Sequence, residues 1–112
     1  MSERLFSYGT LRDAPVQRRL FGRLVPGVSD AVMGYRLAKI TIADPAAIAT
    51  SGKAEHLIID LTGRREDVVE GQVLELTPEE LRIADVYEDV AYKRVRAPLR
   101  SGQGECWVYI RA

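Results

Sequence analysis

Short apolar runs with strand-like patterning recur along the whole chain, and this constrains its fold more than any other feature. Turn residues separate the runs, which predict strands at residues 4–9, 31–38, 56–61, 68–76, 92–99 and 104–111. The last two runs flank Ser101-Gly102, a pair typical of a hairpin turn. Few segments have helical patterning. This mixture predicts an α+β fold, in which a small curved sheet forms a partly closed β-barrel with two or so short helices.

Two segments carry helix signals. The first has Asp13 as a candidate N-cap and Pro15 in the first turn, with an end by Gly27 at the latest. The second opens with a capping box at residues 77–80, Thr-Pro-Glu-Glu, and predicts a helix to about Tyr87. Residues 41–53 contain the turn signals Asp44-Pro45 and Ser51-Gly52, so neither a helix nor a strand is predicted there.

Composition and charge narrow the class of protein. The chain has 112 residues, 46% of them hydrophobic and 29% charged, which predicts a single folded domain over residues 1–112. Sixteen basic and sixteen acidic side chains give no net charge. Nucleic-acid binding depends on many Lys and Arg contacts to phosphates, so we expect no nucleic-acid partner. The basic stretch from Lys93 to Arg100 is interpreted as a solvated strand face.

The single cysteine and the N-terminus bear on location. Cys106 has no second cysteine to pair with and lies in an apolar run, where a buried structural thiol is expected. The N-terminal residues lead from charge into a short apolar stretch that predicts neither a signal peptide nor a transmembrane span. We therefore expect a cytoplasmic protein without a membrane partner.

Several common kinds of catalytic or binding site are excluded because the required residue types are missing. Gly52-Lys53 lacks the second glycine and the Ser or Thr of a phosphate-binding loop. Ser51 lacks the flanking glycines of a nucleophile elbow. One histidine and one cysteine, fifty residues apart, do not form a zinc site, so no metal is expected. His56, at the start of an apolar strand, is interpreted as a hydrogen-bonded structural residue.

Glu88 is the strongest candidate for chemistry. Asp85 and Glu88 are three residues apart, so a helix that begins at residue 77 places both on one face. The helix C-terminus, partial burial and the neighbouring Asp85 and Asp89 would all raise the pKa of Glu88 towards that of an acid/base near neutral pH. The alternative is an ion pair between Glu88 and Arg94 or Lys93, and spacing alone does not separate the two interpretations.

Four stretches, in order, resemble one known family. Residues 5–12, Leu-Phe-Ser-Tyr-Gly-Thr-Leu-Arg, resemble the opening motif of the γ-glutamylcyclotransferase-like family, which includes plant avirulence-induced-gene-like proteins and γ-glutamylamine cyclotransferases. Residues 85–88 and 92–94, Asp-Val-Tyr-Glu and Tyr-Lys-Arg, are similar to its later motif. Residues 69–73 resemble its glycine-bearing central strand, and residues 107–109 resemble its closing strand. The resemblance covers nearly the whole chain.

The resemblance implies a small mixed β-barrel with a cavity and without a cofactor. It also implies release of 5-oxoproline from a γ-glutamyl amine or dipeptide, when the substrate's α-amine attacks its own γ-carbonyl. Glu88 would take a proton from the attacking amine and return it to the leaving nitrogen. The turn amides would hold the α-carboxylate of the substrate, and Tyr92 would hydrogen-bond the substrate near its carbonyl. Arg94 would orient Glu88 or close the rim of the cavity. The residues expected to bind substrate are Tyr8, Gly9, Thr10, Leu11, Tyr92 and Arg94.

The chain departs from the family pattern in two places. Asp89 stands where the family often has glycine, and residues 40–55 fit the pattern poorly, which bears on substrate identity. Glutathione is expected to be a poorer substrate than a γ-glutamyl amine or dipeptide. An alternative from another class is a small-molecule-binding or stress-regulatory module that uses the same cavity without turnover. Tyr8 also has two interpretations, a ligand contact or a core aromatic with a satisfied hydroxyl.

Overall fold

The computed structural model describes residues 2–88 and 90–112. Its helical segments are a 3-10 turn at Thr10–Arg12 and the helices α1 (Ala14–Phe21), α2 (Pro45–Ser51) and α3 (Pro78–Tyr87). Its strands are β1 (Glu3–Ser7), β2 (Gly27–Met33), β3 (Tyr35–Thr41), β4 (Glu55–Leu61), β5 (Val68–Leu76), β6 (Tyr92–Pro98) and β7 (Glu105–Arg111). The predicted α+β class is confirmed.

The strands form a mixed, curved sheet and a separate hairpin. The five-stranded sheet has the order β2-β5-β1-β7-β6, in which β1 is antiparallel to β5 and parallel to β7, and β3 and β4 pair with each other. The two edge strands approach at one end, where Val32 and Leu99 form an isolated bridge and the Arg100 amide donates to the Ala31 carbonyl at 2.8 Å. The barrel is therefore partly formed, because no continuous ladder joins its edges.

The capping box fixes the start of α3 as predicted. The Thr77 hydroxyl accepts from the Glu80 amide at 3.0 Å, and the Glu80 carboxylate accepts from the Thr77 amide at 2.9 Å. The helix ends at Tyr87, so Glu88 is its C-cap. The earlier helix, α1, follows Asp13 and ends at Gly22, five residues before the latest end expected.

Two expectations about secondary structure are wrong. Residues 31–38 are not one strand, because Gly34 has φ of 88° and separates β2 from β3. Residues 41–53 include α2, which adds a third α-helix. The Asp44 carboxylate caps α2 by accepting from the Ala46 amide at 3.0 Å, and Gly52 ends it in the left-handed conformation. The two turn signals were the start and stop of a short helix.

Each face of the five-stranded sheet has its own apolar core. Alternation along β1 sends Phe6 towards the core that includes Ile59 of β4, and Leu5 towards the core that includes Leu81 of α3. Cys106 is buried in the first core, and burial raises the pKa of its thiol to about 11, as a structural thiol requires. In the part of the chain described, no helix is long and apolar enough to cross a membrane. The expected cytoplasmic location stays a prediction.

Candidate active site

The turn that follows β1 presents backbone amides on one side and carbonyls on the other. Arg12 donates from Nη2 to the Tyr8 carbonyl at 2.8 Å and from Nε to the Gly9 carbonyl at 3.2 Å. Because the N–H and C=O of a trans peptide point in opposite directions, the amides of Gly9 and Thr10 point away from Arg12. Among described residues, the amides of Thr10 and Leu11 donate to no acceptor. Two backbone N–H groups of the turn are therefore available to a ligand.

Gly9 leaves open space at this turn. Its φ is −127°, so left-handed backbone geometry does not require a glycine there. A Cβ added to Gly9 would meet no protein atom within 4 Å, whereas one added to Gly71 would collide with the Ser7 carbonyl oxygen. Gly71 is thus required by packing against β1, and the space beside Gly9 is available to a ligand.

Glu88 has an unusual environment for a carboxyl group. Its amide donates to the Ala84 carbonyl at 2.9 Å, which ends α3, and its side chain is half-buried. Within residues 2–88 and 90–112, no hydrogen bond or ion pair reaches the Glu88 carboxylate. Burial, and secondarily the charge of Asp85, raises the pKa of Glu88 from 4.5 to about 8. The direction agrees with the sequence-based hypothesis.

Arg94 pairs with Asp85 rather than with Glu88. Its Nε lies 2.8 Å from Asp85 Oδ1 and its Nη2 lies 3.0 Å from Oδ2, a bidentate arrangement. The ion pair that was the alternative role for Glu88 is therefore formed by its neighbour on α3. The predicted influence of Asp89 on Glu88 lies outside the described residues.

Glu88 and the turn after β1 face a small shared cavity of about 20 Å³. This is room for about one water molecule. The cavity adjoins a wider groove of about 460 Å³, and Glu88, Tyr92 and Tyr109 border both spaces. Six of the seven residues expected at the site line the cavity, namely Tyr8, Gly9, Thr10, Leu11, Glu88 and Tyr92. The seventh, Arg94, lies in the groove with Asp85 and Trp107.

The tyrosines of the cavity donate their hydroxyl protons to the protein. Tyr8 donates to the Tyr109 carbonyl at 2.6 Å, and Tyr92 donates to the Leu57 carbonyl at 2.7 Å. Burial, and then the charge of Glu88, raises the pKa of Tyr8, so its phenol is neutral. Tyr8 thus satisfies both interpretations, because it is a buried aromatic with a bonded hydroxyl and also lines the cavity. Because the Tyr92 hydroxyl proton is bound to the Leu57 carbonyl, Tyr92 has its oxygen left for a substrate, and its expected hydrogen bond near the substrate carbonyl stays a prediction.

Two further residues of the cavity were not predicted as site residues. His56 lies with Nε2 2.9 Å from Ser51 Oγ and 3.1 Å from the Lys53 carbonyl, as a structural histidine would, yet its side chain also lines the cavity. Burial lowers the pKa of His56, so its ring is neutral at pH 7. Tyr109 faces α3 because it alternates with Val108 along β7, and that alternation was the one signal available.

In the described part of the chain, no three side chains of His, Cys, Asp or Glu converge. The cavity is lined by a carboxyl with a raised pKa and by tyrosines whose hydroxyls donate to protein oxygens. It is also lined by turn residues whose amides have no acceptor among described residues.

Comparison with solved structures shows a shared fold. Two Arabidopsis thaliana proteins with solution structures are each 21% identical to the chain, with TM-scores of 0.70 and 0.73, and align over 99% and 98% of it. The chain spans 62% of the first protein and 68% of the second. A structure described as gamma-glutamyl cyclotransferase is 14% identical, with a TM-score of 0.72, and aligns over 100% of this chain and 68% of its own.

Comparison at the level of sequence shows the family. No curated protein sequence matches the chain. A family described as "Gamma-glutamyl cyclotransferase, AIG2-like" matches residues 5–112, which include both motifs on which the resemblance depends. The chain therefore belongs to the AIG2-like γ-glutamyl cyclotransferase family, as the ordered motifs predicted.

Proposed function

We propose that this protein is a cofactor-independent cyclotransferase that releases 5-oxoproline from a γ-glutamyl amine or dipeptide, with Glu88 as general acid/base. The observation that carries the proposal is a carboxyl with a pKa of about 8 that has no hydrogen-bond or ion-pair partner among the described residues. It shares a cavity with a turn in which the amides of Thr10 and Leu11 have no acceptor in the same part of the chain. Family membership supports a cyclotransferase-type reaction in general. The substrate, the mechanism and the role of Glu88 are the parts that we propose.

The turn after β1 would bind the α-carboxylate of the γ-glutamyl group. Successive amides that point into one space form a concave anion site, and here the amides of Thr10 and Leu11 have no other acceptor among described residues. Arg12 bonds the Tyr8 and Gly9 carbonyls, which fixes the direction of the Gly9 and Thr10 amides. The Thr10 carbonyl accepts from the Asp13 amide at 2.9 Å, which fixes the direction of the Leu11 amide. Beside them, the absence of a side chain at Gly9 leaves room for the bound group.

Glu88 would carry the proton in one cycle of bond exchange. The neutral α-amine attacks the γ-carbonyl carbon, and the new C–N bond closes a five-membered ring. The Glu88 carboxylate takes one proton from the attacking nitrogen and gives it to the leaving nitrogen as the original amide bond breaks. The products are 5-oxoproline and a free amine, and Glu88 returns to its carboxylate form. A pKa of about 8 populates both forms of Glu88 near neutral pH.

The fold would contribute by holding the substrate in a ring-closing pose. Correct placement of two reacting groups contributes on the order of 7–11 kcal/mol to lowering a barrier. The anchor at the turn would fix one end of the γ-glutamyl group, and Glu88 lines the same cavity. The bonded hydroxyls of Tyr8 and Tyr92 hold the walls between them.

The amine portion of the substrate would lie in the adjoining groove. A cavity of about 20 Å³ does not hold a γ-glutamyl compound, so its walls must widen towards the groove of about 460 Å³. Glu88 borders both spaces, so the leaving nitrogen of a substrate bound in this way would lie within its reach. In this arrangement Arg94 forms part of the leaving-group wall, where its guanidinium lies 4.2 Å from the centre of the Trp107 ring.

The proposal is tested by 5-oxoproline release from a panel of γ-glutamyl dipeptides and amines. We expect Glu88→Gln to lower turnover about 10²–10⁴-fold, the range for loss of a general acid/base. Binding of 5-oxoproline, measured by calorimetry, is expected to persist in the variant. Absence of release from every donor by the wild-type protein, with ligand binding intact, would contradict the proposal and indicate a binding module.

The anchor at the turn has its own test, Gly9→Ala. The new methyl group would meet no protein atom but would occupy the space proposed for the α-carboxylate. We expect KM to rise about tenfold, equivalent to about 1.4 kcal/mol, with the free energy of unfolding changed by about 0.5 kcal/mol or less. Gly71→Ala is the contrast, because its methyl group collides with β1 and should lower stability instead. An unchanged KM in Gly9→Ala would argue against this anchor.

A further inference from the structure

Asp85 is held by side chains from two strands. Its Oδ1 accepts from Arg94 Nε at 2.8 Å and from the Tyr109 hydroxyl at 2.6 Å, and its Oδ2 accepts from Arg94 Nη2 at 3.0 Å. The Arg94 guanidinium in turn stacks on Trp107, whose Nε1 donates to Glu3 Oε1 at 3.1 Å. The Asp85 carboxylate is therefore fixed by contacts from β6 and β7 to α3.

This fixed carboxylate lies one helical turn before Glu88. Residues three apart on a helix have neighbouring side chains, and both residues border the same groove. A negative charge one helical turn away disfavours ionisation of Glu88, and the Arg94 guanidinium bonded to Asp85 offsets part of that charge. Because the Asp85 side chain is 37% exposed, water screens the interaction and limits its size.

The other titratable groups around Glu88 are largely neutral near pH 7. On the turn after β1 and on β7, burial raises the pKa values of Tyr8 and Tyr109, and on β4 burial lowers the pKa of His56. From β6, Tyr92 donates its hydroxyl proton to the Leu57 carbonyl, and Arg94 is the cation already bound to Asp85. Among described residues at this site, the charge that acts on Glu88 is therefore that of Asp85, and Arg94 is the cation bonded to Asp85.

We propose that Asp85, fixed by Arg94 and Tyr109, is a positioning residue that sets the pH at which Glu88 exchanges its proton. The importance of this inference for catalysis rests on the proposed role of Glu88 as acid/base. Its structural basis is the set of contacts to Asp85. Asp85 favours the protonated form of Glu88, and Arg94 favours the carboxylate form. Removal of one or the other charge should therefore move the titration of Glu88 in opposite directions.

The test is an NMR titration of protein labelled with ¹³C at the glutamate side-chain carboxyl, with Glu88→Gln used to assign the signal. Asp85→Asn keeps the size of the side chain and an oxygen that accepts from Tyr109, so we expect the Glu88 midpoint to move by about one pH unit towards acid. Arg94→Gln leaves the charge of Asp85 uncompensated, so we expect a move towards alkaline pH. A purely structural role for Asp85 does not predict that the Glu88 midpoint shifts in opposite directions in these two variants.

Two further variants complete the design. Asp85→Glu keeps the charge and should leave the Glu88 midpoint within a few tenths of a pH unit of the wild type. Glu80→Gln removes a charge from the other end of α3 and should leave it unchanged. Circular dichroism confirms that each variant is folded, and if Asp85→Asn does not fold, Asp85→Gln removes the same charge and takes its place. A Glu88 midpoint that stays fixed, or moves the same way in Asp85→Asn and Arg94→Gln, overturns the inference.

The titration separates this inference from the proposed function. It needs no turnover, so opposite shifts in a protein that releases no 5-oxoproline would uphold the coupling and contradict only the chemical role. In an active protein, the pH at which kcat/KM rises should move with the Glu88 midpoint in each variant. If activity is present and kcat/KM keeps its pH dependence while the midpoint moves, Asp85 does not set the working protonation of Glu88.

Discussion

The two ends of α3 each carry a glutamate, and the two glutamates have opposite environments. Glu80, at the N-terminal end, accepts from Arg23 Nε and Nη2 at 2.8 Å each and from the Thr77 amide at 2.9 Å. The Arg23 hydrogen bond lowers the pKa of Glu80. Glu88, at the C-terminal end, has no such partner among described residues, and burial raises its pKa to about 8.

The difference lies in partners rather than in residue type or in burial alone. Glu80 is 8% exposed, yet its charge is favoured because three N–H groups donate to its carboxylate. Glu88 loses hydration without gaining donors, so its neutral form is favoured. A buried carboxyl with partners secures the helix, and one without partners is available to exchange a proton.

The largest expected effect is on turnover. Glu88→Gln should reduce 5-oxoproline release about 10²–10⁴-fold, whereas Glu80→Gln, the same substitution at the other end of the helix, should leave it within about twofold. The measurement is initial-rate release with the best donor of the panel. Equal losses in the two variants would show that α3 acts only as a structural element and that the two glutamates do not differ in function.

The next effect is on the pH dependence of stability, and its sign differs between the two residues. The pKa of Glu80 is lowered in the folded protein, so its contribution is present above 4.5 and is lost as pH falls through the lowered pKa. Glu80→Gln should therefore lower Tm at pH 7, and the difference should shrink in acid.

The pKa of Glu88 is raised, so the stability linked to its protonation is fully present below 4.5 and is lost as pH rises through about 8. Glu88→Gln should match the wild-type Tm at pH 4 and exceed it by a few degrees at pH 9. Thermal melts of both variants across this range check both signs. A lower Tm for Glu88→Gln at pH 9 would mean that its carboxylate has a partner.

The smallest expected effect isolates the N-terminal cap of the helix. Thr77→Ala removes the hydroxyl that accepts from the Glu80 amide and should lower the free energy of unfolding by about 1 kcal/mol. Because the cap lies at the end of α3 remote from Glu88, kcat/KM should remain within about twofold of wild type. Urea unfolding and initial rates measure the two quantities, and a large fall in kcat/KM would show that the two ends are coupled.

Local sequence was sufficient for much of the fold. The capping box at residues 77–80 predicted the start of α3, and alternation predicted β4 to β7 within a few residues. The errors came from signals with two meanings. Asp44-Pro45 is both a turn signal and a helix start, and Gly34 within an alternating run marks a change of strand only once its positive φ is known.

The residues around the candidate site were predictable where motifs contained them and not where tertiary register decided their contacts. The turn at residues 8–11 and Glu88 do line one cavity. Arg94, however, bonds Asp85, because pairing of β6 with β7 and the packing of α3 set its reach. Tyr109 and His56 join the cavity from strands far apart in sequence, and no local pattern shows that these strands meet.

The most direct test of this account is a ¹³C NMR titration of Glu80 and Glu88 in the same wild-type sample. We expect Glu88 to titrate with a midpoint near pH 8 and Glu80 with one below 4.5. Glu80→Gln and Glu88→Gln assign the two signals. Midpoints near 4.5 for both residues, or a Glu88 midpoint below that of Glu80, would contradict the claim that Glu88 is the carboxyl able to exchange a proton near neutral pH.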